Sequence, residues 1–538
     1  MVIAPGTNTN ARTADIERLA ADLDRAGFTV DAVTSLWGPA AAAALGRGRV
    51  EPALRALQAQ HPSAPALVTL ARLFVLNAPV PSDELDTALP TLGREGAERL
   101  GLVGGVAGTG AGAAPNGDAD LVHPAADLRP YSFVDAHGVG AWWVVSDLGE
   151  IARDGALDED HVLGIGGAST TLSGLMMSRP VASALDLGTG CGIQALHASR
   201  HAVRVVATDI SERALRIADL NTRLNGVRTV ELRTGSLYAP VAGERFDHIV
   251  SNPPFVITPR AADVPSYEYR DGGMIGDDLV REVVRGAADH LTEGGVAQIL
   301  GNWEYSGTGD AFDRLSEWLD GTGLDAWIIE RDVQDAPLYA ETWIRDGGTK
   351  PGTPEFARLY TAWLDDFEQR GVTSVGFGYI TLRRPWADAA PTIRVFERLA
   401  GGLGHNPSGL GDHIAECLAA RDWLAARDDD ALSHERVTVA PDVTEERHYW
   451  PGEEDPTVLT LHQGAGFGRS LRVDTALAAV VGACDGELTI GAILGAVASI
   501  LDVDADALRD EVLPQLRDLI ATAMLLPERL DMSGDSAG

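Results

Sequence analysis

Cysteine is scarce: Cys191, Cys417 and Cys484 are the only three in 538 residues. They are odd in number and far apart. That excludes a disulfide framework and the clustered spacing of a zinc site, and it fits reduced thiols in a cytosol. Lysine is almost missing, Lys350 standing alone among 43 basic residues. With so much alanine, this follows the coding bias of a GC-rich genome and carries no mechanism. Long apolar runs are missing too. Alanine-rich stretches such as 37–45 are too short and too interrupted to span a bilayer, so no membrane partner is expected. The first twenty residues lack a basic segment followed by an apolar core, so no signal peptide is expected and a cytoplasmic location is. Positive charge is lacking as well: the formal net charge is −35, split as −7, −13 and −15 over residues 1–150, 151–390 and 391–538. No third is basic, which disfavours a long electrostatic track along nucleic acid but leaves room for a local arginine patch.

The length calls for about three domains, and the pattern of elements divides the chain at the same places. Residues 13–77 have apolar residues at helical spacing, two short helices follow at 82–89 and 91–102, and 101–119 is a Gly/Ala-rich loop. Strands are expected at 119–128 and 141–148. Helices followed by a two-stranded ribbon suit a winged helix, and equally a helical cap over the next domain. From residue 180 the pattern becomes strand–turn–helix, the mark of an α/β, doubly wound Rossmann-like sheet. Strands are expected at 181–187, 203–208, 229–233, 246–251 and 295–301, closed by a pair at 324–330 and 375–382. A structured insertion is expected at 332–371. Residues 384–430 read as helical with a polar loop at 401–411, and 431–538 as an α+β domain with a disordered tail at 531–538.

The chemistry concentrates at two places. Asp186-Leu-Gly-Thr-Gly-Cys-Gly192 sits between the first strand and its helix. Gly188, Gly190 and Gly192 let the backbone turn sharply and admit a ligand against the peptide chain, while the helix N-terminus offers N–H groups. Asp209 ends the second strand, where a carboxylate accepts ribose hydroxyl protons. A dinucleotide site shares these features. However, Asp186 opening the turn suits a ligand with a cationic amino-acid end better than a pyrophosphate. Ser236, after the third strand, is a candidate adenine contact. Cys191 reads as a small turn residue, not a nucleophile. His197 and His201 stand four apart, a metal-like spacing. With no third ligand nearby no metal is expected, and a solvated helical face is the plain reading. Trp303 could close a pocket, but reads as packing.

The second place is Asn252-Pro-Pro-Phe255, at the carboxyl end of the fourth strand. A planar nitrogen is a poor nucleophile because its lone pair is delocalised. The Asn252 side-chain oxygen and the Pro253 carbonyl can accept its N–H bonds and raise its electron density during attack. Pro253 and Pro254 set these acceptors in advance, and Phe255 offers a face for a planar target. Asn252 is counted among the cofactor contacts as well.

Residues 160–305 resemble the class I methyltransferases that carry an Asn-Pro-Pro-Tyr/Phe motif, on Asp186, Gly188, Gly190, Gly192, Asp209 and Asn252 to Phe255. The resemblance implies S-adenosyl-L-methionine as cofactor. It is nearest to the small-domain rRNA methyltransferases and the protein N5-glutamine methyltransferases. Tyr269-Arg-Asp-Gly-Gly273 and Gly276-Asp-Asp-Leu279 resemble the glutamine branch. The stretch 161–171 departs from that branch, and Gly167, Ser169 and Thr170 could line the methionine end. Residues 471–526 weakly resemble PqqD-like peptide-binding domains. The first expectation is therefore N-methylation of a ribosomal RNA base, at guanine N2 or adenine N6, docked by the N-terminal domain. A protein glutamine follows closely, favoured by the acidic charge, and a small molecule comes third. From a different class, the chain could be a peptide-binding scaffold with a non-catalytic methyltransferase fold.

Overall fold

The computed structural model describes residues 9–60, 63–104, 121–149, 159–260, 264, 270–307, 309–386 and 389–528. Most of the expected Gly/Ala-rich loop, Tyr269 and the 531–538 tail lie outside them.

The N-terminal part is α1 (Thr9–Arg25), α2 (Val30–Leu45), α3 (Glu51–Gln60), α4 (Pro65–Leu70), β1 (Val80–Pro81), α5 (Ser82–Ala88), α6 (Gly93–Leu100), β2 (Val103–Gly104) and β3 (Leu121–Pro124). Strand order β1-β3-β2 makes a small antiparallel sheet beside α5 and α6. The expected ribbon is divided between two sheets. Residues 121–124 pair with β1 and β2, while β4 (Asp127–Asp135) and β5 (Gly138–Ser146) form a separate hairpin.

The central sheet uses β6 (Val181–Leu187), β7 (Ala202–Asp209), β8 (Val230–Thr234), β9 (Phe246–Ser251), β10 (Leu291–Ser306), β11 (Asp325–Asp335), β12 (Val372–Arg383) and β13 (Arg394–Arg398). Their order is β13-β11-β12-β10-β9-β6-β7-β8, and β12 alone runs antiparallel to its neighbours. The sheet order reverses between β6 and β9, so their carboxyl ends flank the crevice where open α/β sheets bind ligands. Helices α7 (Gly167–Leu175), α8 (Ile193–Ala198), α9 (Glu212–Leu224), α10 (Asp278–His290) and α11 (Ala311–Trp318) cover the faces. The expected insertion is present as α12 (Ala336–Asp346) and α13 (Pro354–Arg370).

Residues 384–430 are not wholly helical as expected: Arg394–Arg398 is the edge strand β13, and only α14 (Gly411–Ala425) and the start of α15 (Asp429–Ser433) are helix. Beyond them come β14 (Val437–Val439), the meander β15 (Val443–His448), β16 (Val458–Gln463) and β17 (Ser470–Val473), then α16 (Thr475–Gly482), α17 (Ile490–Leu501), α18 (Ala505–Ala521) and β18 (Leu525–Pro527).

The N-terminal part and the sheet share a core. Leu220 and Leu224 of α9 belong to the same apolar cluster as α1–α6. Asn221, fully buried between them, accepts the Val145 N–H and donates to the carbonyls of Val145 and Cys191, each at 2.8 Å. One side chain thus ties the β5 hairpin to the glycine turn. Asn221→Ala should lower the free energy of the first unfolding transition in urea by about 3 kcal/mol, since it strands buried backbone groups. A loss below about 1 kcal/mol would contradict that accounting.

Candidate active site

The turn after β6 is built as its glycines require. Gly188, Gly190 and Gly192 have φ of 78°, 54° and 86°, backbone that side chains rarely adopt. A Cβ on Gly188 or Gly190 would meet nothing within 4 Å, so these two open toward the crevice. At Gly192 a Cβ would come within 3.0 Å of the Ala218 Cβ, so this glycine permits close packing of α8 against α9.

Asp186 is fully buried. Its Oδ2 accepts the Thr189 hydroxyl at 2.5 Å, while Oδ1 has no partner among the described residues. Burial pushes its carboxyl up to about 7, with the Thr189 hydroxyl opposing. Such an acid is incomplete without a donor or a cation, which fits the ammonium of an amino-acid-bearing cofactor. A cation favours the ionised form, so binding must release a proton wherever the free carboxyl is protonated. Cofactor affinity should therefore weaken as pH falls below about 7, approaching tenfold per unit. Titration calorimetry from pH 6 to 9 checks this, and Asp186→Asn should abolish the slope. A slope unchanged in that variant would assign it to another group.

Asp209 accepts the Gly190 N–H at 2.9 Å on Oδ2 and the Ser211 N–H at 2.8 Å on Oδ1. Each oxygen keeps one acceptor position for a ribose hydroxyl. Ser236 is exposed, and its carbonyl accepts the Ala239 N–H, so its hydroxyl stands at the surface just past β8.

Asn252 follows directly from β9. Leu187 pairs with Ser251, and the Ser251 hydroxyl donates to the Leu187 carbonyl at 2.8 Å. That bond locks the two strand ends together and puts Asn252 one residue beyond them, alongside Gly188. Asn252 Oδ1 is buried without a partner among the described residues. Pro253 is buried and Pro254 half-buried. Phe255 is half-buried where three apolar clusters meet, its ring edge-on to Trp343 at 6.2 Å. The chain then returns along itself: Phe255 bridges Asp271, the Val256 N–H donates to the Arg270 carbonyl at 2.8 Å, and the Arg260 guanidinium binds Asp271.

Of the candidates at the methionine end, the Ser169 carbonyl accepts Gln194 Nε2 at 2.8 Å, joining α7 to the first turn of α8. The Thr170 hydroxyl is taken up within its own helix, by the Gly166 and Gly167 carbonyls. Sequence reasoning missed Thr189, Gln194 and Ile210. Thr189 lies inside the glycine turn, three residues after Asp186, where a hydroxyl can turn back to the carboxylate. Gln194 is nearly buried, with Oε1 lacking a partner among the described residues. Ile210, 62% exposed right after Asp209, offers an apolar face where an adenine would lie.

His197 and His201 do not lie on a solvated face. His197 is buried among Tyr131, Phe133 and Trp142, and His201 bonds His248 at 2.9 Å. Burial pulls them down to about 4 and about 3, so both are neutral packing groups. Trp303 is packing as expected, 1% exposed with Nε1 donating to Glu330 at 2.7 Å. Burial pushes the Cys191 thiol up to about 11, which removes it as a nucleophile. Among the described residues, no group of three His, Cys, Asp or Glu is placed to hold a metal, and no helix is long and apolar enough to cross a membrane.

Residues 165–308 match the family described as methyltransferase small domain, and 25–114 and 415–527 match two described as domains of unknown function (DUF7059 and DUF7782). The ribosomal protein uL3 glutamine methyltransferase of Bradyrhizobium diazoefficiens is 35% identical over 196 residues, 33% of this chain and 59% of that protein. The release factor glutamine methyltransferase of Geobacter sulfurreducens is 35% identical over 164 residues, 27% of this chain and 56% of that protein. The chain thus spans less than two thirds of these relatives. A solved ribosomal protein L11 methylase from Lactobacillus delbrueckii subsp. bulgaricus has a TM-score of 0.25 and 21% identity, covering 43% of this chain and 84% of that one. The central sheet is a class I methyltransferase domain, whose cofactor is S-adenosyl-L-methionine.

Proposed function

We propose that this class I methyltransferase domain methylates the side-chain amide nitrogen of a glutamine in a protein. When bound, S-adenosyl-L-methionine supplies an electrophilic methyl group on a sulfonium centre. Asp186, the glycine turn and Asp209 would hold its amino-acid and ribose ends. The observation that carries the reading is Asn252 Oδ1, a buried acceptor without a partner among the described residues, beside the glycine turn. With the Pro253 carbonyl it can take both N–H groups of a primary amide, concentrating the lone pair on nitrogen as positive charge develops there. The nitrogen forms a bond to the methyl carbon as the carbon–sulfur bond breaks, and then loses one proton.

The same acceptors suit the exocyclic nitrogen of a base, which sequence reasoning put first as a ribosomal RNA guanine N2 or adenine N6. The relatives favour glutamine instead, since they are named for glutamines of a ribosomal protein and of release factors. The acidic charge points the same way. We assign the flanking parts, 1–150 and 391–538, to substrate docking around the 151–390 domain. The test gives the purified protein, methyl-labelled cofactor and ribosomes from a strain lacking it, alongside recombinant uL3 and release factor. Label in protein, traced by peptide mass spectrometry to a glutamine, is expected. Label confined to RNA would overturn the assignment.

A further inference from the structure

The insertion between β11 and β12 reaches the loop after Phe255 through a single hydroxyl. Tyr339 of α12 is fully buried, packed against Trp363, Phe367 and Phe377. Its oxygen accepts the Ile257 N–H at 3.0 Å and Asn302 Nδ2 at 2.8 Å. Ile257 lies two residues beyond Phe255. Asn302 alternates with Leu300 and so shares its face of β10, the face toward which Val250 of β9 also packs. One hydroxyl therefore joins three elements: the loop that starts at Asn252, the strand next to β9, and the insertion. The helix touches that loop twice more. Trp343 meets Phe255 edge-on, and the Trp343 carbonyl and Asp346 hold the Arg270 guanidinium at 2.7 and 3.0 Å.

We propose that Tyr339 is a positioning residue for methyl transfer, fixing the 252–257 segment against β10 so that the Asn252 acceptor keeps one orientation; this rests on the function proposed above. Both bonds join fully buried groups, so their loss leaves two buried donors without this acceptor. The loop must then shift to recover them, and a displacement of about 1 Å at a reacting group costs on the order of a hundredfold in rate.

Tyr339→Phe removes the hydroxyl and keeps the ring. In the full chain, it should lower kcat about thirtyfold on whichever of uL3 and release factor the wild type methylates. KM for that protein and Kd for the cofactor should stay within about threefold. Hydrogen exchange should quicken in peptides covering Val256 to Arg260. Leu359→Ala serves as the control: it opens a cavity in the same apolar cluster but leaves the hydroxyl in place. It should keep kcat within about twofold. An equal fall of kcat in both variants reduces Tyr339 to general packing and overturns the proposal. Unchanged exchange at 256–260 in Tyr339→Phe also overturns it. Should neither protein accept methyl from the wild type, the proposed function fails, and the exchange measurement still decides the role of Tyr339.

Discussion

Asn252→Ala should lower the methyl-transfer rate about a thousandfold while leaving cofactor affinity within about tenfold. The size follows from what is removed. Asn252 Oδ1 is already desolvated and free of competing donors among the described residues, so no reorganisation is needed when the target nitrogen arrives. A preorganised group of this kind commonly contributes two to three orders of magnitude. Selectivity follows from position. In the proposed site the turn after β6 and Asp209 at the end of β7 would hold the cofactor, whereas Asn252 follows β9 on the other side of the crevice. Asn252→Asp separates charge from shape: it keeps the oxygen but adds a negative charge and removes a donor, and it should recover only part of the rate. Calorimetry for the cofactor and single-turnover rates for transfer distinguish the steps. Equal loss of both in Asn252→Ala would merge the two sites into one.

The sheet was legible because each strand carries its own signal. Apolar runs bounded by Gly, Asp or Asn place strands at 181–187 and 246–251, where β6 and β9 are found, and β7 and β8 differ by only a residue or two. The misses depend on partners distant in sequence. β10 was expected to stop at 301 but continues to Ser306, because Asn302–Ser306 pairs with the antiparallel β12, from Phe377 back to Val372. β13 is five residues that are polar at both ends, and it becomes a strand only through parallel pairing with β11. The histidines failed in the same way. With no third ligand in the sequence nearby, a solvated helical face was the plain reading, yet the β4–β5 hairpin closes over His197 with Tyr131, Phe133 and Trp142. The places of Gly188, Gly190, Asp209 and Asn252 in the turn and at the strand ends could be read because backbone conformation and strand ends are local properties. Tyr339 could not, since its importance lies in donors at 257 and 302 that only the folded insertion brings to it.

Asp209→Ala should show the complementary failure, with cofactor affinity falling about a hundredfold and kcat at saturating cofactor within about fivefold of wild type. The carboxylate does two things at once. Its remaining acceptor positions are available to the ribose hydroxyls, and charge-assisted bonds of that kind contribute about 1.5–3 kcal/mol. It also accepts the Gly190 and Ser211 N–H groups, so its loss loosens the turn that faces the ligand. Asp209→Asn divides these contributions. The amide offers one oxygen in place of two, so it can keep one backbone bond but not both, and its NH2 group faces a donor. Its affinity should therefore lie closer to that of the alanine variant than to wild type. The turn itself can be followed without ligand by hydrogen exchange at Gly190 and Ser211, which should quicken at both in Asp209→Ala and at one of them in Asp209→Asn. If Kd stayed constant in Asp209→Ala while kcat fell, the carboxylate would belong to the transfer step, and the division between the β6–β7 side and the β9 side of the crevice would be wrong.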